Sequence, residues 1–89
     1  MKAKLTKTLD GKDCIAIKCP GCRIEHHCHP SNHSWSSDFE NPTINPSLLQ
    51  TFGTGQICHS WVKSGFIEFL PDTTRHSLRG LHPLPEVSP

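Results

Sequence analysis

Apolar positions in this chain come in short bursts separated by turn-forming residues, and none recurs at helical spacing over a long stretch. Residues 2–9 read as a weakly patterned first strand. Asp10-Gly11 is a tight-turn signal, and Cys14-Ile15-Ala16-Ile17-Lys18 follows as an apolar β-type run, so the two segments predict a hairpin. Arg23 to His29 is a candidate short strand. From Pro30 to Pro46 the chain is polar and rich in Pro, Asn, Asp and Ser, which disfavours helix. Trp35 and Phe39 are the apolar pins expected to hold that loop down. Ser47-Leu48-Leu49-Gln50-Thr51-Phe52 is either a short strand or a single helical turn. Residues 56–62 and 66–70 flank Lys63-Ser64-Gly65, a second hairpin with Gly65 where positive φ is needed. Residues 73–80 fit a helical turn, capped by Asp72 or Thr73 and ended by Gly80. Leu81 to Leu84 fits an edge segment, and residues 85–89 a frayed tail. The pattern therefore predicts one domain over residues 1–89, mainly β, small and irregular, built on two hairpins with little helix.

Composition adds a constraint. The chain has 89 residues, of which 34% are hydrophobic. A core that small usually needs a metal or disulfide supplement. The basic start Met1-Lys2-Ala3-Lys4-Leu5 leads into Thr6-Lys7-Thr8, with no apolar stretch of a signal peptide, so a cytoplasmic location is expected. Disulfides are not expected there, and five cysteines cannot all pair within one chain. Seven histidines accompany them. Metal is the staple that this inventory favours. No apolar run is long enough to span a bilayer, so no membrane partner is expected. The net charge of +1 and the lack of a Lys/Arg stripe argue against nucleic acid. A protein or peptide is the expected partner or substrate.

Cys19-Pro20-Gly21-Cys22 is the candidate clamp. The C-x-x-C spacing supplies two thiolates from one turn, Pro20 fixes φ, and Gly21 permits a left-handed backbone. Cys58 in the second hairpin is the expected third ligand of a structural Zn²⁺. For the fourth, His26 is favoured, because it lies just past the knuckle. His59 and His76 are further candidates, and Cys28 or His29 in place of His26 stays open. Adjacent strand residues face opposite sides, so His59 would join Cys58 on one ion only if the strand bulged. A redox C-x-x-C would sit in a thioredoxin-like βαβ pattern, which is missing. Cys14 and Cys28 read as small buried apolar residues, and His27, His29, His33 and His82 as surface histidines. A catalytic zinc on His26, His59 and His76 would leave Cys19 and Cys22 unexplained.

The motifs Cys19-Pro20-Gly21-Cys22 with His26, Trp35, Pro42-Thr43-Ile44-Asn45-Pro46-Ser47-Leu48-Leu49, and Cys58-His59-Ser60-Trp61-Val62-Lys63-Ser64-Gly65 resemble a family of small zinc-binding phage and prophage proteins. The resemblance runs on through Phe66-Ile67-Glu68-Phe69-Leu70 to Asp72, His76, Leu78 and Gly80. Trp61 stands where that family usually has Phe, and the interval from Asp72 to His76 is one residue longer. Members often carry the label "ammonia monooxygenase". Ammonia oxidation needs a redox copper or iron centre, whereas a thiolate-rich tetrahedral site suits redox-inert zinc, so the label does not fit. The same pattern is more loosely similar to the zinc-stabilised proteases found beside bacterial ubiquitin-like conjugation genes, the BubE type. That similarity implies a Ser/His hydrolase, a peptidase or isopeptidase, with Ser47 as nucleophile and His59 as general base.

The residues make a separate case for this chemistry. A serine nucleophile needs a base within hydrogen-bond reach and a group that orients the base. Ser47 follows Pro46, a rigid place to present a hydroxyl. If Cys58 points at a metal, His59 points away from it and is free to act as base. Asp72 or His76 could orient it. The alternative is a non-catalytic zinc scaffold that displays the loop from Ser31 to Asn45 to a host protein.

Overall fold

The computed structural model describes residues 1–87 and is all-β, in two antiparallel sheets. A three-stranded sheet runs β1 (Lys4–Lys7), β2 (Asp13–Lys18) and β3 (Glu25–Cys28) in chain order. A five-stranded sheet runs β4 (Ser34–Trp35), β5 (Ile44–Thr51), β6 (Ile57–Lys63), β7 (Phe66–Phe69) and β8 (Gly80–Pro83), again in chain order. The two predicted hairpins are β1–β2 and β6–β7. In the second, Ser64 and Gly65 both take positive φ, the pair that matches the right-handed twist of the flanking strands. No helix among the described residues is long and apolar enough to cross a membrane.

The inner faces of the sheets meet over Ile15 and Ile17 on one side and Ile44, Leu48, Val62, Ile67 and Phe69 on the other. Cys19, Cys28 and Cys58 belong to the same core. Trp35 and Phe39 pack against it partly buried, as expected of pins. The Phe39 carbonyl also accepts hydrogen bonds from the N–H groups of Lys2 and Ala3. Cys14 and Cys28 are buried, and burial pushes the Cys28 thiol up to about 12.

Four stretches differ from the sequence expectation. The polar 30–46 loop contains β4, with Trp35 paired to Ile44. The segment at Ser47 is strand throughout and starts at Ile44, before the prolyl bond Asn45–Pro46, which is cis. Residues 73–80 form no helical turn, because their polar groups are spent on β6. Thr74 Oγ1 accepts the Ile57 N–H at 2.9 Å, and the Ile57 carbonyl accepts N–H groups from Thr74 and Arg75. At the other end of the chain, residues 85–87 are not splayed out: Val87 is buried, and its N–H donates to the Met1 carbonyl at 2.8 Å. The last two residues of the expected tail, 88–89, lie outside the described residues.

Candidate functional site

The knuckle lies between β2 and β3. Its backbone turns on itself: the Cys19 N–H donates to the Ile24 carbonyl and the Arg23 N–H to the Cys19 carbonyl. The Cys22 N–H points at Cys19 Sγ, 3.3 Å away, which stabilises charge on that sulfur. Arg23, at φ 63°, takes the left-handed turn that Gly21 was expected to take. Gly21 is needed for a different reason. A Cβ there would lie 2.2 Å from the His76 ring, so only glycine lets the two pack.

β3 then brings the chain back alongside β2, pairing His26 with Ile17 and turning His26 inward. Cys58 arrives from β6 in the other sheet. One donor atom from each of Cys19, Cys22, His26 and Cys58 falls within 4.8 Å of the others, and together the four could hold one metal ion. The Cys19 and Cys58 sulfurs are 4.0 Å apart. Ligands on 2.3 Å bonds in a tetrahedron lie about 3.8 Å apart, close to that value. Both ring nitrogens of His26 are buried without any hydrogen-bond partner, a costly state unless one of them ligates a cation.

The thiols carry the same signature. The hydrogen bond from Cys58, with help from His26 and the Cys22 N–H, pulls Cys19 down to about 3. The reciprocal contact with Cys19, and burial, push Cys58 up. Burial first, then the charge on Cys19, raises Cys22 to about 11. One thiolate is thus stabilised and the other two thiols hold their protons. Only a cation at the centre lets all three ionise together.

His76 faces this cluster and not His59. Its Nδ1 accepts the Leu78 N–H at 3.2 Å, leaving Nε2–H to donate to Cys58 Sγ at 3.5 Å. The ring stands edge-on to Phe69 at 4.4 Å between centroids. A three-histidine centre does not assemble, because His59 points out of the sheet on the face opposite Cys58.

On that outer face a second group of residues meets. Ser47 Oγ lies 3.0 Å from His59 Nε2. His59 Nδ1 lies 2.9 Å from Asp72 Oδ2 and 3.1 Å from Asp72 Oδ1. Of the two residues expected to orient His59, Asp72 is the one in contact. The tautomer follows: Nδ1–H donates to the carboxylate, and the Nε2 lone pair accepts the Ser47 hydroxyl.

Three further residues fix this group, and the sequence assigned none of them to it. Thr73 is buried, and its hydroxyl accepts the His59 N–H and donates to the His59 carbonyl, each at 3.0 Å. This pair of hydrogen bonds to the His59 backbone anchors the loop that carries Asp72. Arg79 braces the same loop by donating to the Thr73 carbonyl at 2.5 Å. His33, expected at the surface, is half-buried and donates from Nε2 to the Ser47 carbonyl at 3.1 Å. The sequence had singled out Thr73 only as an alternative cap, with Asp72, of a helical turn. Nothing in the local pattern singled out His33, since its partner lies 14 residues on.

A serine whose hydroxyl meets a carboxylate-oriented histidine is the arrangement of a serine hydrolase. The family model of the bacterial ubiquitination-like system serine protease (BubE) matches residues 2–70 of the 89. The chain belongs to that family. The BubE match takes in the knuckle, His26, Ser47, Cys58 and His59, while Asp72 and His76 lie just beyond it. It carries the protease half of the resemblance drawn from the motifs and says nothing of a phage origin. No curated protein and no solved structure matches the chain.

Proposed function

We propose that this protein is a zinc-stabilised serine peptidase, acting on peptide or isopeptide bonds of a protein substrate within a ubiquitination-like system. The observation that carries the reading is the 3.0 Å contact of Ser47 Oγ with His59 Nε2 while Asp72 holds Nδ1. Membership of a serine protease family supports it.

His59 Nε2 takes the proton from Ser47 Oγ as the oxygen attacks the substrate carbonyl carbon. Asp72 keeps the imidazole in the receptive tautomer and stabilises the imidazolium that results. The tetrahedral adduct collapses as His59 passes that proton to the leaving nitrogen, and Ser47 is left as an ester of the acyl fragment. Water then attacks the ester, giving its proton to His59. The acid departs, and Ser47 Oγ recovers its hydrogen from Nε2.

Zinc is the metal that three thiolates and one imidazole suit best, being redox-inert and content with four such ligands. Its proposed role is structural. It ties the knuckle and β3 of one sheet to β6 of the other, and so holds Cys58 inward and His59 outward. A site of three thiolates also works best in a reducing compartment, in keeping with the cytoplasmic expectation.

Labelling with diisopropyl fluorophosphate tests the reading. The wild type should gain one phosphoryl adduct on Ser47, located by peptide mass spectrometry, and Ser47→Ala should gain none while keeping its zinc. An unlabelled wild type, together with a Ser47→Ala variant that keeps full biological effect, would assign the protein to the non-catalytic scaffold class.

A further inference from the structure

The five-stranded sheet has an outer face that the core does not use. Along β6, Cys58, Ser60 and Val62 are buried, and His59, Trp61 and Lys63 alternate with them on the outer side. Next to His59 this face is hollowed into a groove of about 510 Å³, lined by Trp61, Phe66 and Leu81 with Asn45, Lys63 and Glu68. Three large apolar side chains stand in water there: Trp61 is 41% exposed, Phe66 41% and Leu81 64%. Single exposed apolar residues are ordinary, but three that share one groove mark a binding surface.

Strand register ties the groove to the nucleophile. Ile44 pairs with Val62 and Leu48 with Ser60, so Asn45, Pro46 and Ser47 all stand opposite the single Trp61. This bulge carries the chain from a groove residue, Asn45, to Ser47 within two positions. On β6 the step from Trp61 to His59 is also two positions, about 7 Å of strand. Across the sheet, Trp61 pairs with Glu68 and Glu68 with Leu81, so the groove runs from the catalytic pair toward β8.

We propose that this groove is the substrate cleft of the Ser47 site, and that it seats a bulky apolar side chain of an extended substrate segment. The inference rests on the hydrolase reading and adds its specificity. Trp61 lies about 7 Å from the reacting pair, and Leu81 two strand spacings, about 10 Å, beyond Trp61 across the sheet. An extended peptide advances about 3.3 Å per residue, so the seated side chain belongs about two to four residues from the scissile bond. Trp61 and Phe66 give the seat rigid apolar walls. Lys63 and Glu68 supply one charge of each sign, so the cleft does not select a strongly acidic or basic segment.

The test is cleavage of a sequence-diverse peptide library by the zinc-loaded protein, with cut sites mapped by mass spectrometry. Ser47 reactivity toward diisopropyl fluorophosphate, which does not reach the groove, is measured in parallel. Cleaved peptides should be enriched in Leu, Phe or Met at one position about two to four residues from the cut. Trp61→Glu and Leu81→Glu should each lower kcat/KM for the best peptide about 10- to 100-fold, with fluorophosphate labelling within about twofold of wild type. Cleavage without apolar preference, or a preference that survives in both variants, overturns the inference and leaves the hydrolase standing. A wild type that neither cleaves nor labels overturns the hydrolase reading and takes this inference with it. A dimer that Trp61→Glu dissociates would assign the groove to a second copy of the chain, which also overturns it.

Discussion

Among the described residues of this small protein two Ser–His–Asp contacts exist, and by distance alone they look alike. One is Ser47–His59–Asp72. The other is Ser31–His29–Asp10, where His29 Nδ1 lies 2.7 Å from Ser31 Oγ and Nε2 lies 3.0 Å from Asp10 Oδ2. Burial does not separate them: the side chains of His59 and Asp72 are 25% and 55% exposed, those of His29 and Asp10 28% and 53%. The lone pair of the base does. His29 Nδ1 also accepts the backbone N–H of Ser31 at 3.0 Å, so the pair that would take a proton is already engaged. Asp10 in turn divides its acceptance among His29, the Thr8 hydroxyl and the Lys12 N–H. The Ser31 group is a turn stapled by its own side chains. In the Ser47 group the hydroxyl comes from another strand and is what His59 Nε2 meets, and both Asp72 oxygens face Nδ1. Identity and distance of the residues do not make a relay; a free acceptor on the histidine does.

Metal removal should have the largest effect, because it takes away the fold that holds both groups. Structural zinc contributes on the order of 10 kcal/mol, comparable to the whole net stability of a domain. Exhaustive chelation, or Cys58→Ser, should abolish the cooperative thermal melt followed by circular dichroism and lower the metal content by elemental analysis. All activity should go with it, because the strand that carries Cys58 also carries His59. A Cys58→Ser protein with stoichiometric zinc would remove Cys58 from the ligand set.

Serine replacement comes next. Ser47→Ala should cut peptide hydrolysis by about 10⁴-fold or more, while Ser31→Ala leaves kcat/KM within about twofold. Equal losses would mean that the contrast between the two groups is misread. Asp72→Asn should lower kcat by about 10²- to 10⁴-fold by favouring the wrong imidazole tautomer, with little change in melting temperature. Asp10→Asn should leave kcat unchanged.

Proton competition gives the next effect. Removing zinc unfolds the chain, and unfolded thiols keep their protons near neutral pH, because an unperturbed cysteine titrates at about 8.5. Three thiol protons, from Cys19, Cys22 and Cys58, must therefore leave when zinc enters. Protons and metal compete for the same sulfurs, so apparent zinc affinity should fall about 1000-fold for each unit of acidification near pH 7. Competition with a chromophoric chelator across pH reads the slope directly. The smallest effect belongs to His76→Ala. Loss of its N–H to Cys58 should weaken zinc binding about 10-fold in the same assay without touching Ser47 labelling at saturating zinc.

The sequence by itself determined the local pieces. Alternating apolar residues and turn signals gave the strands, because the side-chain period in a strand is two and is written into neighbouring positions. Gly65 marked the β6–β7 turn, and the C-x-x-C spacing marked the knuckle, since both are chemistry of adjacent residues. Cys58 and His59, one after the other on a strand, were bound to face opposite ways, so a metal side and an outer side were legible before any fold was known. What only the tertiary structure decided is which distant groups meet. His76 was read both as a candidate metal ligand and as a group to orient His59, and packing against Gly21 and Phe69 turns it to Cys58. Asp72 was read as a helix cap or as an orienting group, and the loop strapped to β6 through Thr73 puts it on His59. His33 looked like a surface residue until β4 placed it under the Ser47 carbonyl. These encounters depend on which sheet faces are buried and how the strands register. Both are set by long-range packing of the whole chain, which no local run of residues records.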